Sequence, residues 1–240
     1  MLHVNADDLG WNEKITDRIL DCHRKGRISS VSAMTFMKDS ERAAGLAREN
    51  GLLAGLHLNF TQEFTDGTAT KKLKERHQKV AGYLNAHKVS QVLFNPFLYK
   101  EFEYVFQCQW DEFCRLYEEE PARLDGHHHM HLCMNMLILN KYPRGLKIRR
   151  NFTFSLGEKG PVNRLYRYLI DRWLTSRFQT TDYFFSLKPV EPEKIRRIVM
   201  LSKSADVELM VHPGVDEECN YLLSEDWVRL IFSVRLQGEG

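Results

Sequence analysis

The stretch "ARLDGHHHMH" at 122–131 runs a short strand-like segment into four histidines within five positions. The whole chain has only 10 histidines, so the cluster is concentrated. It is internal, which excludes a terminal tag. If the strand continues through the run, His127, His129 and His131 face one side and His128 the other. Imidazoles crowded on one side repel when protonated, and a metal ion or a carboxylate partner relieves that repulsion. A solvated loop is the plainer reading. A strand that ends in such chemistry points to a parallel α/β fold, because the sites of those folds assemble at the carboxyl ends of the strands.

Working outward, the same pattern recurs. Apolar runs at 2–6, 29–36, 52–60, 146–150, 182–187 and 207–212 read as further strands beside 122–129. Amphipathic stretches separate them. After the first strand, Asn12 can cap a helix in which Ile15, Ile19 and Cys22 share a face, with Gly26 at its end. "SERAAGLARENG" (40–51) reads as a second helix. Residues 61–100 read as a loop-rich insertion with one helix near 71–87. A third strong helix covers 101–119, where Phe102, Phe106, Trp110, Phe113 and Leu116 form an aromatic core stripe. Helices near 161–176 and 191–203 complete the series. The pattern predicts an α/β fold, a single-domain distorted (β/α) barrel with about seven parallel strands spanning 1–240. A doubly wound open sheet is the alternative.

Five of the proposed strand ends carry polar residues: Asp7-Asp8, His57, Asp125 to His129, Arg149 and His212. Asp182 falls near the start of its strand instead. Each has a plain reading: an Asx turn for Asp7-Asp8, a satisfied core histidine for His57, a strand-closing residue for His212 before Pro213-Gly214.

A net charge of +2, with the two "KIRR" segments both short, gives no case for a nucleic-acid partner. No apolar run is long enough for a membrane span. The five cysteines form no C-x-x-C pair and read as free thiols, so the expected compartment is the cytoplasm.

In order along the chain, "VNADDLG" (4–10), "ISSVSAM" (28–34), "GLHLNF" (55–60), "LDGHHHMH" (124–131), "IR" (148–149), "TDYF" (181–184) and "ELMVHPG" (208–214) resemble the motifs of the YdjC-like carbohydrate deacetylases, the family that includes chitooligosaccharide deacetylases. Leu9 stands where that family usually has Phe, and 61–100 is short and carries no family motif. The resemblance implies one divalent metal ion on Asp8, His57 and His127. It implies Asp7 as general base and His212 as general acid or transition-state stabiliser. Asp125, His129, His131, Arg149 and Asp182 are then substrate-binding or supporting groups. The family implies Mg2+, whereas imidazole ligands favour Zn2+ or another transition ion. The implied reaction removes N-acetyl groups from amino sugars or short oligosaccharides, with a small-molecule substrate and room for a homodimer. The rival readings are another metal-dependent barrel enzyme (a phosphoesterase or sugar isomerase) and a non-catalytic sugar-binding module.

Overall fold

The computed structural model describes residues 1–154 and 158–236. Seven parallel strands form one curled sheet: β1 (Leu2–Leu9), β2 (Ser30–Ala33), β3 (Ala54–Leu58), β4 (Arg123–Gly126), β5 (Lys147–Ile148), β6 (Tyr183–Ser186) and β7 (Val207–Val211). All seven strands expected from the sequence are present. Their spatial order is β5-β4-β3-β2-β1-β7-β6. The strands thus follow one another around the sheet in a single sense, with β7 returning to β1. A doubly wound sheet would reverse direction at a switch point, and this order has none.

The two sheet edges, β5 and β6, approach each other across a seam. Ile148 donates its backbone N–H to the Gln179 carbonyl at 2.8 Å, and Gln179 donates to the Leu146 carbonyl at 3.0 Å. Further up, Thr153 N–H reaches the Phe184 carbonyl at 2.8 Å. The result is the distorted (β/α) barrel rather than the open sheet.

Helices surround it: α1 (Glu13–Arg24), α2 (Ser40–Glu49), α3 (Lys71–Ala86), α4 (Tyr99–Tyr117), α5 (Met134–Leu139), α6 (Pro161–Thr175), α7 (Pro192–Leu201), α8 (Asp216–Leu223) and α9 (Glu225–Leu236). Asn12 caps α1 by accepting from the Ile15 N–H at 3.0 Å, and Ile19 and Cys22 are buried on its inner face. The aromatic stripe of α4 is core, as its spacing predicts: Phe102, Phe106, Trp110, Phe113 and Leu116 are all buried. From the same helix, Gln109 grips the end of β3. It accepts from Asn59 N–H at 2.7 Å and donates to the Asn59 carbonyl at 3.0 Å. Those backbone groups have left the sheet ladder and would otherwise be buried without partners. Helices α5, α8 and α9 have no counterpart in the sequence reading.

The histidine run differs from the strand expectation. β4 stops at Gly126, and 127–132 forms a tight turn in which His128 and His129 adopt left-handed φ of 52° and 59°. The period-2 alternation of His127 to His131 is therefore absent. A Cβ on Gly126 would lie 2.9 Å from the His131 backbone N, so only glycine lets the turn fold back this tightly.

Inside the barrel, Gly55 of β3 leaves room for the Arg123 side chain of β4. A Cβ there would lie 2.1 Å from Arg123 Cγ and 2.9 Å from the Arg123 carbonyl oxygen. Gly55→Ala is expected to destabilise the fold by roughly 3 kcal/mol, at or beyond the usual overpacking range, because backbone as well as side chain must move. Urea denaturation checks this; a midpoint equal to wild type refutes it.

Candidate active site

The site begins with an irregularity in β1. Its register with β2 runs Asn5 to Ser30 and Ala6 to Val31, then jumps to Leu9 against Ala33. Three steps on β1 thus match two on β2, a bulge of one residue at Asp7-Asp8. In an unbroken strand these carboxylates would point to opposite faces. Here Asp8 takes φ 71°, a conformation that Asp tolerates better than most residues, and its carboxylate turns to a histidine that also lies within 4.8 Å of Asp7.

His57, on β3, is that histidine. Its Nδ1 lies 2.6 Å from Asp125 Oδ1, and its Nε2 lies 3.4 Å from Asp8 Oδ1. His127 enters from the turn after β4, its Nδ1 3.0 Å from the same Asp8 oxygen. One ligand atom from each of Asp8, His57 and His127 lies within 4.8 Å of the others, and all three residues are buried. Asp7, His57 and Asp125 satisfy the same condition. These are groups that could hold a metal ion.

Under this cluster lies a buried ion network. Arg149 forks onto Asp7, Nη1 to Oδ2 and Nη2 to Oδ1, both at 2.7 Å. Its Nη2 also lies 3.0 Å from Asp125 Oδ2, and its Nε donates to Glu208 Oε1 at 2.8 Å. Arg123 donates to the same Glu208 oxygen at 2.6 Å and to Asp125 at 3.1 Å. Asn5 donates to Asp7 Oδ1 at 2.8 Å, and Ser32 donates to Asp125 Oδ2 at 2.5 Å. Two guanidinium groups therefore face Asp7, Asp125 and Glu208, and Asp8 adds a fourth carboxylate just above.

The electrostatics follow from that balance. Burial alone would raise Asp7 and Asp125, but Arg149 and His57 together outweigh it, with Arg123 adding to the effect at Asp125, and both lie below the usual carboxylate range. Asp8 is also buried, and its hydrogen bonds to His127 and His57 hold it far below that range. Burial disfavours the His57 imidazolium, yet Asp125, Asp7 and Asp8 reverse this and push it up to about 10. The pocket favours positive charge at His57, whether from a proton on the ring or from a cation held against it.

The other residues singled out from the sequence fall in different places. His212 follows β7 at the rim, half-buried, with Nδ1 3.5 Å from Glu218 Oε1. Burial opposes its protonation, but Glu218, Asp7 and Asp8 raise its pKa above the ordinary value. His131 is a support: its Nε2 lies 2.9 Å from the Arg149 carbonyl oxygen, and burial lowers it to about 4. His129 packs against Phe152 and Phe184, and burial, then Arg149, keep it well below its ordinary value. Asp182 is not brought to the site. It precedes β6, is exposed, and accepts the Asp206 N–H at 2.8 Å, so it lies at the amino ends of β6 and β7. Tyr99 and Tyr104 pack against the core, with Lys72 and Arg76 over the Tyr104 ring. The aromatics beside the histidines are Trp11, edge-on to His127 at 5.0 Å, and Phe152 and Phe184 against His129.

Glu208, Arg123, Asn5, Ser32 and Glu218 escape the sequence reading. For Glu208 and Arg123 there is a signal: a charge inside an otherwise apolar strand run, which in a barrel marks an interior position needing a partner.

A family model described as YdjC-like protein matches residues 1–231. A carbohydrate deacetylase of Clostridium beijerinckii is 24% identical over 216 residues, covering 89% of this chain and 81% of that protein. A chitooligosaccharide deacetylase of Yersinia pestis is 31% identical over 143 residues, 55% of this chain and 51% of that protein. In the second case the match spans about half of the relative's length. Among solved structures, a candidate cellobiose-phosphate cleavage protein of Enterococcus faecalis superposes with a TM-score of 0.68 at 20% identity, over 99% of this chain and 93% of that one, a likeness of fold. The chain belongs to the YdjC-like protein family.

The ion network makes stability depend on pH. Burial opposes ionisation of Glu208, but Arg123 and Arg149 lower its pKa below the usual 4.5. A lowered folded-state pKa contributes stability above the unfolded value, and that contribution is lost as pH falls through the folded value. Glu208→Gln is expected to cost roughly 3 kcal/mol near neutral pH, as for a broken buried pair. The gap between wild type and variant should then shrink as pH is lowered from 5 to 3. Denaturation at several pH values checks this; a gap that stays constant refutes it.

Proposed function

We propose that this chain is a metal-dependent hydrolase that removes the acetyl group from an N-acetylated amino sugar or a short oligosaccharide containing one. The observation that carries the reading is the convergence of Asp8, His57 and His127, flanked by Asp7 and His212. The sugar and the acetyl group come from the relatives named carbohydrate and chitooligosaccharide deacetylases.

The donor set fits a divalent cation. Ionised Asp125 can only accept, so His57 Nδ1 carries the hydrogen between them. The lone pair of neutral His57 then sits on Nε2, facing the Asp8 oxygen 3.4 Å away. Two electron-rich atoms so placed need positive charge between them, and a carboxylate behind the imidazole is the usual partner of a metal-binding histidine. Two imidazoles and one carboxylate leave positions open for water and substrate. A cation bound there supplies Lewis-acid polarisation of the amide carbonyl and makes a water more acidic. By ligand type it is Zn2+; by family resemblance it is Mg2+.

The chain's own residues do the proton work. Asp7 is held ionised by the Arg149 fork. Its Oδ1 accepts from both Arg149 and Asn5, whereas among the described residues Oδ2 accepts only from Arg149 and keeps a lone pair for the water proton. His212, its pKa raised beside Glu218, Asp7 and Asp8, gives a proton to the departing amine. Trp11 and Phe152, both partly exposed, offer apolar faces for a sugar ring. The five free cysteines favour the reducing cytoplasm as the setting.

Three measurements test the reading. The purified protein, incubated with a panel of N-acetylated saccharides, should release acetate and new amine; turnover of a phosphate ester or an aldose instead would replace it with a rival barrel enzyme. Asp7→Asn should retain metal while losing about 10² to 10⁴-fold in turnover. His57→Ala should lose metal on dialysis, and equal metal content in both proteins would remove His57 from the ligand set.

A further inference from the structure

Glu218 stands apart from the ion network. It lies on α8, its side chain is buried, and it touches the group that the proposed mechanism uses as proton donor. Its Oε2 accepts the His212 backbone N–H at 2.8 Å. Its Oε1 is buried without a hydrogen-bond partner among the described residues, 3.5 Å from His212 Nδ1. The carboxylate is thus anchored by one oxygen, while the other waits for a donor that only the His212 ring is shown to offer. The His212 side chain is 30% exposed, so the ring reaches the rim while its base is held.

The connection between the two residues is also fixed. Val215 N–H donates to the His212 carbonyl at 2.9 Å, turning the chain directly into α8. Arg18 of α1 donates to the carbonyls of Pro213 and Gly214 at 3.3 and 3.1 Å, and pairs with Asp216 at 2.6 Å. The loop that carries His212 is therefore tied down at three points.

We propose that Glu218 is the positioning residue for His212: its free oxygen fixes Nδ1 as the hydrogen-bearing nitrogen and turns Nε2 towards the substrate. The proposal rests on the reading of His212 as proton donor. A buried carboxylate behind an imidazole does this elsewhere by selecting the tautomer and stabilising the imidazolium. Other charged or titratable groups act on the same pair. Asp7 and Asp8 of β1 favour the imidazolium, His128 disfavours it, and Lys194 of α7 faces Glu218.

The test combines spectroscopy and kinetics on the full chain with its metal content measured. Histidine ring resonances are followed by NMR against pH in wild type and Glu218→Gln, with His212 assigned from His212→Asn. Glu218→Gln keeps the shape and an acceptor for the backbone N–H but removes the charge. The expected result is a fall of about one unit in the His212 midpoint, at unchanged metal content. On an N-acetylated saccharide that the wild type deacetylates, kcat should fall about 10 to 10²-fold with KM nearly constant, and the basic limb of the pH profile should move down with the midpoint. Glu218→Asp should recover part of kcat, and it serves in place of Glu218→Gln should that variant not fold. In a His212→Asn background, Glu218→Gln should cost no further turnover. An unchanged His212 midpoint, or a further loss in that background, overturns the proposal. If the wild type releases no acetate from any saccharide, the deacetylase reading fails, while the NMR midpoint still decides whether Glu218 governs His212.

Discussion

The pairing of Arg149 with three carboxylates is the constraint on which the rest depends. A guanidinium buried without partners would cost many kilocalories, and so would Asp7, Asp125 or Glu208 without it. Each of these residues comes from a different strand: Asp7 from β1, Asp125 from β4, Glu208 from β7, with Arg149 just after β5. The network can be satisfied only when all four strands are in register. Barrels of this class are usually filled by branched aliphatic side chains. Here much of the interior is charge, and the apolar core lies largely between the sheet and the surrounding helices. A network of this kind favours one arrangement over slipped ones more than it adds net stability.

The same network sets the chemistry above it. Arg149 holds Asp7, Asp125 holds His57, and both links are short and buried. The residues that would meet a substrate are thus oriented from beneath by residues that would not. The bulge in β1 is the local device that makes this work. It lets one carboxylate stay with the network and its neighbour turn to the histidines.

Much of this was legible in the sequence, for identifiable reasons. Six strands announce themselves as largely apolar runs and β4 by the histidines that follow it, and the α4 stripe is helical by spacing alone. Asp7, Asp8, His57, Asp125, His127 and Arg149 stand out because they end those runs, and the structure gathers them. Three things were not legible. The direction of the histidine run depends on two left-handed residues, and His has no propensity that foretells them. Glu208 and Arg123 look like errors in a strand until their partners, 85 residues apart in sequence, are seen together. Helices α5 and α8, of six and eight residues, are too short to show a clear helical period, and α9 is terminal.

The seam between β5 and β6 gives the barrel two unlike halves. Asp8, His57 and His127 belong to β1, β3 and the turn after β4, in the continuous part of the sheet. Arg149 sits at the seam, where β5 is two residues long and its outer edge is bonded through Gln179, with Thr153 and Phe184 joined further along. Short, sparsely bonded edges open first in native-state fluctuations. On the proposed reading, grip on an ion would rest on the continuous part of the sheet, and the aim of the base would rest on the seam. On that reading, loosening of the seam by warmth or denaturant would blunt turnover before it released the ion.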